Sequence, residues 1–490
     1  MALSNPIPMR WPSGPLDVAI LQKKESVTAQ ARQTLEYWHS AAALDILQGS
    51  PVNCLVVSWA SGLAEDAEQQ RTIRPLVDAA RQRKLDVIGW VDGKTDGKAA
   101  IAAAEAAGLS AVAIQGFSGK SEFPVIPWGD RAHAPWDTTA PVLPITDSVW
   151  PGVASRRGTA VIAAPTGLPW LDSNGWHIKL ARACTQAQVW VLFDPPGKGE
   201  VVPARSYPVA ICDAEGAGGR WVISLDLALR ASLAAKDATA VATWKSISDT
   251  VSFFEKHRDW RSYRPAGVVG VISDFAGNNY DFSSELLNLL SRYDLVFRAL
   301  VNSARSSLDL TGLKAAIWAD SSQPTAQQRK GLLSFVEQGG LLLTGSKWGS
   351  EGRSVVNAHP RFDVRTLGKG RVAVAKDGAS DPYQFTVDTQ ELLSHRNDVA
   401  KIFNGNASGG IHYSASSDGK RALLQLLSYS TYGRSTNNAT AWTRDKYKSA
   451  RLWTIEAAQA VPVNVAACED GGTEYHLPPI PSYLALELEI

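Results

Sequence analysis

Short apolar runs alternate with helical segments through the first half of the chain. The runs that we interpret as strands are Leu16–Leu21, Asn53–Trp59, Leu85–Val91, Leu109–Gln115, Pro141–Thr146, Thr159–Ala164, Gln188–Phe193 and Arg220–Leu225. Strands that are apolar throughout and separated by helices predict a buried parallel sheet. Eight such units within roughly 250 residues are typical of a (β/α)8 barrel, which we predict over residues 1–262.

Two segments interrupt this alternation. Phe123–Trp128 is short and rich in proline, and we interpret it as an excursion after the fourth strand. Leu171–Thr185 is predicted to be the helix before the seventh strand, with Asp172 or Ser173 as its cap. Both interpretations decide which side chains are expected at the carboxyl ends of the strands.

The second half of the chain has two further patterns. Strand and helix signals alternate again from Gly267 to Thr344, where Gly339-Gly340 ends a helix just before an apolar run. This pattern predicts a doubly wound, flavodoxin-like α/β domain over residues 263–355. Over residues 356–490, alternating strands separated by Gly, Asn and Ser turns predict a small antiparallel β domain.

Composition and charge remove several classes of function. Lys and Arg number 49 against 48 Asp and Glu, so a nucleic-acid partner, which needs a cationic surface, is not expected. No apolar run is long enough for a membrane span. The four cysteines lack metal-site spacing and no nucleotide or zinc motif occurs, so we expect neither metal nor cofactor. The N-terminus has no apolar signal core, and we favour a secreted or periplasmic chain without its signal over a cytoplasmic one.

Carboxylates and tryptophans follow the predicted strands, where barrel enzymes have their active sites. Glycoside hydrolysis needs two carboxylates, and the predicted catalytic residues are Asp147, Asp172 and Asp194. The chain holds 17 Trp, whose flat rings suit stacking on sugars. The predicted substrate-binding residues are Trp59, Trp90, Asp92, Gln115, Trp128, Asp130, Arg131, Trp150, Trp170, Asn174 and Trp176.

Ordinary structural roles compete with each of these assignments. Asp172 precedes a predicted helix and could cap it, and Asp194 precedes two prolines in a turn. Asp92-Gly93 is a common turn pair, and Arg131 could pair with Asp130 at the surface.

The predicted order of domains resembles the glycoside hydrolase family 42 β-galactosidases. The segments that carry the resemblance are Val269–Phe275, Leu313–Asp320, Leu332–Gly345 and Ala422–Ser430. In that family the middle domain is similar to a glutamine amidotransferase without its active site and often builds a trimer. The resemblance therefore implies a possible homo-oligomer through the middle domain, and the lack of Cys there excludes a glutaminase.

The barrel departs from the family at both catalytic positions. The family has a Glu acid/base after strand four and a Glu nucleophile after strand seven, whereas here these strands end in Gln115 and Asp194. The resemblance implies Asp194 as nucleophile, with Asp147 and Asp172 as alternatives for the acid. The predicted function is a glycoside hydrolase acting on oligosaccharides or glycosides. The alternative is a catalytically inactive protein that binds carbohydrate or supports an assembly.

Overall fold

The structure is a computed structural model of the 490-residue chain. The residues that it describes are 5–92, 95–151, 154–157, 160–163, 172–196, 200–303, 308–349, 351–354, 359–376, 381–403, 409–430, 439–469 and 471–490. The chain forms two compact units. The first unit comprises Met1–Trp170, Thr185–Glu215 and Gly219–Arg258, and the second comprises Leu171–Cys184, Gly216–Gly218 and Asp259–Ile490.

Strands and helices alternate in the first half of the chain. The strands are β1 (Pro8–Trp11), β2 (Cys54–Ala60), β3 (Asp86–Val91), β4 (Ala111–Gln115), β5 (Val125–Trp128), β6 (Val142–Ile145), β7 (Ala154–Arg157), β8 (Ala160–Ala163), β9 (Gln188–Val191), β10 (Glu200–Val201) and β11 (Arg220–Trp221). The α-helices are α1 (Gly14–Lys24), α2 (Ala29–Trp38), α3 (Asp66–Thr72), α4 (Arg74–Gln82), α5 (Gly97–Ala107), α6 (Gly175–Cys184), α7 (Ser206–Gly216), α8 (Leu227–Ala234) and α9 (Ala238–Lys256). Short 3-10 helices are formed by Ala41–Leu47 and Arg258–Ser262.

Parallel strands form the centre of the first unit. One sheet has the order β1–β2–β3–β4–β5 and a second has the order β11–β9–β6. Parallel bridges join the two sheets at both edges, from Met9 to Ile223 and from Gly129 to Ile145. The amide of Arg10 donates to the Ile223 carbonyl at 2.7 Å, and the amide of Thr146 donates to the Gly129 carbonyl at 2.9 Å. The hydrogen-bonded order therefore runs from β1 through β5, β6, β9 and β11 back to β1.

One face of these strands carries an apolar core. Its members are Cys54, Val56, Ile88, Trp90, Ala111, Ala113, Ile126, Trp128, Val142, Trp190, Leu192 and Val222. Within a strand these residues are two apart, and a strand points alternate side chains to one face. In the parallel register Arg10 lies beside Val56, and Ser58 lies beside Trp90. The core face therefore continues into Arg10 and Ser58 at the carboxyl ends of β1 and β2.

Three predicted elements of the first half are corrected by the structure. Leu16–Leu21 is not a strand: it lies in α1, because Ser13 is extended at the helix start and a proline follows in the first turn. Phe123–Trp128 contributes β5 of the parallel sheet instead of an excursion. The Thr159–Ala164 run contributes β8, which pairs antiparallel with β7 outside the parallel sheets.

The second unit is a mixed α/β structure. Its strands are β12 (Arg264–Pro265), β13 (Val269–Ser273), β14 (Phe297–Val301), β15 (Ala315–Trp318), β16 (Leu341–Thr344), β17 (Arg353–Ser354), β18 (Phe362–Leu367), β19 (Gly370–Ala375), β20 (Ala400–Phe403), β21 (Gly409–Ala415), β22 (Arg421–Ser428), β23 (Thr440–Thr443), β24 (Ser449–Thr454), β25 (Asn464–Ala467), β26 (Thr473–His476) and β27 (Tyr483–Glu489). Its helices are α6, α10 (Tyr280–Arg292), α11 (Ala326–Glu337) and α12 (Pro382–Leu393), with 3-10 turns at Gly277–Asn279, Ser346–Trp348 and His395–Asn397.

The described residues of this unit form three sheets. A seven-stranded sheet has the order β14–β13–β15–β16–β19–β18–β17. The first five strands in this order are parallel to one another, and the last two, β18 and β17, are each antiparallel to the strand before them. This sheet continues to Ala375, past the predicted boundary at residue 355. Two antiparallel sheets follow, with the orders β12–β21–β22–β27–β24 and β20–β23–β26–β25. The predicted mixed class, with a parallel sheet followed by antiparallel sheets, is confirmed.

Helix α6 packs in the core of the seven-stranded sheet. Trp176 and Leu180 of α6 are buried in one apolar cluster with Val271 of β13 and Phe297 of β14. The prediction that this helix belongs to the barrel is therefore wrong. Its apolar face is buried against strands of the second unit.

In the part of the chain that the structure describes, no helix is both long and apolar enough to cross a membrane.

The Asp294 carboxyl is an expected source of pH-dependent stability in the second unit. Burial raises the pKa of Asp294 to about 6, against the opposing effects of Lys401 and the Ile402 amide. Ionisation between about pH 4 and pH 6 therefore destabilises the fold, and no penalty exists below pH 4. Two pKa units correspond to about 3 kcal/mol, and the partial exposure of Asp294 reduces this to about 1–2 kcal/mol.

We expect Asp294→Asn to stabilise the protein by that amount at pH 8 and to have no effect at pH 4. The asparagine keeps an acceptor for the Ile402 amide and tolerates the left-handed backbone at this position, where φ is 53°. Urea unfolding at the two pH values measures the difference. The exposed Asp249→Asn serves as control, and an equal gain at both pH values would contradict the assignment.

Candidate functional site

Arg10 is the centre of the polar residues at the carboxyl ends of the strands in the first unit. Its side chain is buried, and Nη2 donates to the Ser58 hydroxyl at 2.8 Å. Nη1 donates to the Val56 carbonyl at 3.3 Å, and Nε lies 3.8 Å from Oδ1 of Asp194. One guanidinium, carried by β1, therefore contacts residues of β2 and of the segment after β9.

Asp17 of α1 holds this guanidinium in place. Its Oδ1 accepts from the Ser58 hydroxyl at 2.8 Å and its Oδ2 accepts from the Ser13 amide at 2.7 Å. The same Oδ1 lies 4.0 Å from Nη2 of Arg10. Burial raises the pKa of Asp17, and Arg10, Ser58 and the Ser13 amide act against that rise. Asp17 is therefore a positioning residue for Arg10.

Asp194 follows β9 and is the exposed carboxylate of the site. Its side chain is 59% exposed, whereas that of Arg10 is 9% exposed. A carboxylate beside a fixed guanidinium and open to solvent can contact a ligand directly. The position after β9 agrees with the strand-end location that the sequence predicts for Asp194.

Asp92 follows β3 and is less accessible than Asp194. Burial raises the pKa of Asp92, and the negative charges of Asp194 and Asp66 add to the rise. Arg10 and a hydrogen bond from Trp90 oppose it. The charges of Arg10 and Asp194 therefore both act on Asp92, which holds its proton to a higher pH than an ordinary carboxyl.

Trp90 and Trp128 form an aromatic pair next to Asp92. Their ring centroids are 4.5 Å apart with an interplanar angle of 26°. The indole of Trp128 donates to the Val91 carbonyl at 3.2 Å. The two residues are 9% and 7% exposed, so only a small part of the pair is accessible.

Two predicted binding residues, Trp59 and Trp150, are corrected to packing roles. Trp59 has no exposed surface, and its indole donates to the Ala100 carbonyl of α5 at 3.0 Å. It therefore points to the helices, away from the core face of the sheet. Trp150 is buried, donates to the Phe193 carbonyl at 3.0 Å and packs edge-on against Trp221.

Other predicted residues lie at strand ends without a contact to Arg10 that the structure shows. Asp130 closes the turn after β5, where its Oδ1 accepts from the amides of Ala132 at 2.9 Å and His133 at 2.7 Å. Arg131 follows it and is half-buried. Gln115 ends β4 and is exposed, and Asp147 after β6 is exposed with φ 58°.

Three predicted residues belong to the second unit. The Trp176 indole donates to Asp172 Oδ1 at 3.1 Å, and Asn174 and Trp176 are buried. Their assignment to the barrel mouth is corrected, because α6 packs in the core of the seven-stranded sheet. Trp170 lies outside the described residues.

Sequence reasoning missed Arg10, Asp17 and Ser58. The cause is the misassigned first strand, which hid the true strand Pro8–Trp11 ahead of it. A usable signal was present: a single charged residue within the apolar segment Pro8–Trp11, directly before Pro-Ser-Gly-Pro, a sequence typical of a helix start.

A possible metal-binding group lies elsewhere. Among the described residues, His359, Asp388 and Glu391 bring three possible metal donors together, and all three belong to the second unit.

The structure is similar to solved glycoside hydrolases, among them GH42 β-galactosidases. A β-galactosidase from Rahnella sp. R3 is 10% identical, with a TM-score of 0.34 over 86% of this chain and 67% of that one. A catalytic mutant of a GH42 β-galactosidase from G. stearothermophilus has the same values. The GH42 exo-carrageenase from Bacteroides ovatus is 9% identical, with a TM-score of 0.39 over 72% of this chain and 48% of that one. No protein family and no curated protein matches the sequence.

Proposed function

We propose that this protein is a glycoside hydrolase whose reaction takes place at the carboxyl ends of the parallel strands of the first unit. The observation that carries the proposal is that the buried guanidinium of Arg10 lies 3.8 Å from the Asp194 carboxylate, while its charge also acts to lower the pKa of Asp92 at the end of β3. Glycoside hydrolysis needs two carboxyl groups with different protonation states. Burial raises the pKa of Asp92, which favours Asp92 as the carboxyl that keeps its proton.

The fold that we propose for this function has three parts. The eight parallel strands close into a (β/α)8 barrel within residues 1–262, from which α6 is excluded, and the bridges at Met9 and Gly129 support this closure. Residues 263–355 start a flavodoxin-like domain, supported by the parallel order β14–β13–β15–β16–β19. Residues 356–490 contain the antiparallel β domain. In a barrel of this kind the strand ends that carry Arg10 are the usual place of catalysis.

The two carboxyls take different roles in the proposed reaction. Asp92, whose pKa is raised by burial, donates a proton to the leaving glycosidic oxygen. Asp194, exposed beside Arg10, acts at the anomeric carbon as nucleophile or as the base that deprotonates water. Asp147 stays an alternative for the acid, since it also follows a strand of this sheet and is exposed.

Substrate contacts are proposed next to these carboxyls. The small exposed part of the Trp90–Trp128 pair offers an apolar contact for a sugar ring, and Gln115 offers an amide at the end of β4. This combination of aromatic and uncharged polar groups suits an oligosaccharide or a glycoside.

Hydrolysis of a panel of nitrophenyl glycosides and oligosaccharides tests the proposal. We expect turnover of at least one substrate by the wild type and a loss of about 10²–10⁴-fold in Asp194→Asn, the range for a group that acts in the transition state. Asp147→Asn is measured beside it, because Asp147 is the alternative acid, and Asp249→Asn, an exposed carboxylate on α9, is the matched control. If Asp147→Asn loses activity and Asp194→Asn does not, the roles given to these carboxyls are wrong.

One observation favours a second candidate function, a carbohydrate-binding protein without catalysis. Strand β4 ends in Gln115, an amide that cannot act as an acid or base. The same panel decides between the two. No turnover on any substrate, together with sugar-dependent thermal stabilisation in the wild type and in Asp194→Asn, would establish the binding protein.

A further inference from the structure

Three metal-binding atoms meet in the second unit, on the loop before β18 and on α12. The Nε2 atom of His359 lies 3.4 Å from Oε2 of Glu391 and 3.7 Å from Oδ1 of Asp388. One donor atom from each residue lies within 4.8 Å of the others. His359 and Asp388 are buried, whereas the Glu391 side chain is 64% exposed, so the group opens to solvent on one side.

The Nε2 atom of His359 faces the two carboxylates but forms no hydrogen bond with them. This atom is buried and has no hydrogen-bond partner among the residues that the structure describes. Buried polar atoms are almost always satisfied, so this one needs an explanation. Separations of 3.4 and 3.7 Å are long for hydrogen bonds. They are close to the spacing of about 3.3 Å between ligand atoms that each lie about 2.05 Å from a tetrahedral zinc ion.

We propose that His359, Asp388 and Glu391 bind a divalent first-row cation, with zinc preferred and water completing its coordination. A ligand set of one imidazole nitrogen and two carboxylate oxygens suits zinc. Calcium and magnesium prefer oxygen ligands throughout. This site contradicts the sequence-based expectation of no metal, which rested on cysteine spacing and short motifs.

Neighbouring residues fix the positions of the proposed ligands, Asp388 by hydrogen bonds and His359 by ring packing. Asp388 and Glu391 are three residues apart on α12 and therefore share a helix face. Arg361 donates to both oxygens of Asp388, through Nε to Oδ2 at 2.7 Å and through Nη2 to Oδ1. The His359 ring packs edge-on against Phe362 with centroids 5.5 Å apart. The Oδ1 atom of Asp388 also accepts from Gln384 Nε2 at 3.2 Å. Each carboxylate oxygen has two lone pairs, so a metal on Oδ1 replaces this Gln384 hydrogen bond while the Arg361 contacts remain.

Two neighbouring groups limit the affinity. The Arg361 cation on Asp388 and the Lys376 ammonium, which donates to the His359 carbonyl at 3.0 Å, both repel a second cation. The Arg361 amide donates to Nδ1 of His359 at 3.3 Å. A metal on Nε2 requires the ring proton on Nδ1, so this long hydrogen bond is exchanged for the metal bond. We therefore expect binding in the micromolar range, weaker than in closed structural zinc sites.

Zinc titration of the untagged full-length protein, stripped of metal with EDTA and dialysed, tests the site. Isothermal titration calorimetry should show one equivalent of zinc bound and no binding of calcium, and zinc should raise the thermal unfolding midpoint. Glu391→Gln should weaken zinc binding at least tenfold, and His359→Gln should abolish it. Because Glu391 is exposed, its replacement leaves the fold intact, and the exposed Glu337→Gln on α11 is the matched control.

Either of two results would overturn the site. One is no zinc binding by the wild type up to about 100 μM, which corresponds to a binding free energy weaker than about 5.5 kcal/mol. The other is equal zinc affinity in the wild type, Glu391→Gln and His359→Gln, which would place the ion on other groups. The readout is metal affinity and not turnover, so it is independent of the proposed glycosidase.

Discussion

Asp92→Asn is expected to lower kcat on unactivated oligosaccharides by about 10²–10⁴-fold, the usual contribution of a general acid. The asparagine keeps the size of the side chain but has no proton to give to the leaving oxygen. Nitrophenyl glycosides should lose much less activity, because nitrophenolate leaves without protonation. Comparing kcat on the two substrate types therefore separates a missing acid from a general disturbance of the site.

The pH dependence of the activity is a second test of Asp92 as the general acid. A general acid works only when protonated, so wild-type activity should fall as pH rises through the pKa of Asp92. Burial raises that pKa, so the fall should lie at higher pH than for an ordinary carboxyl. Asp92→Asn should lack this alkaline limb. Asp86→Asn, at the opposite end of β3, is the matched control. An unchanged profile in Asp92→Asn would show that Asp92 is not the acid.

Asp17→Ala is expected to cost about 3–5 kcal/mol of folding stability, the range for breaking a buried charged pair. The change removes the carboxylate that faces Arg10 and accepts from the Ser58 hydroxyl and the Ser13 amide. A buried guanidinium and two buried donors are then left without this acceptor. Urea unfolding measures the free-energy difference.

Two variants make this stability result specific. Asp249→Ala removes an exposed ion pair with Lys245 and should cost less than about 1 kcal/mol. The double variant Asp17→Leu with Arg10→Met removes both charges and should be more stable than Asp17→Ala. A cost below about 1 kcal/mol for Asp17→Ala would mean that the Arg10 network does not stabilise the first unit.

Local patterns were sufficient for much of the fold. The strand predicted at Asn53–Trp59 is observed as Cys54–Ala60, and Leu85–Val91 is observed as Asp86–Val91. A continuous apolar run indicates that a strand is buried on both faces, and this signal is present in the local sequence. The same patterns failed at Leu16–Leu21, which is apolar enough for a strand but follows the helix-starting residues Ser13 and Pro15.

Long-range packing determined where α6 is buried and to which face each Trp points, and local sequence patterns do not encode these features. The helix predicted at Leu171–Thr185 exists as α6, but no local signal showed that Trp176 would be buried among strands of the second unit. Trp59 and Trp90 look equivalent at the ends of neighbouring apolar runs. The parallel register places Ser58, not Trp59, beside Trp90, so the two indoles point to opposite faces.

For the proposed site, the sequence by itself determined the residue types and their places at strand ends, including Asp92 and Asp194. Tertiary structure alone decided that Arg10 lies 3.8 Å from Asp194, that its charge acts on Asp92, and that Asp172 belongs to another unit. The physical reason is that a buried guanidinium needs anionic and hydrogen-bonding partners on several sides. Such partners come from segments far apart in the chain, which are brought together only when the strands pair.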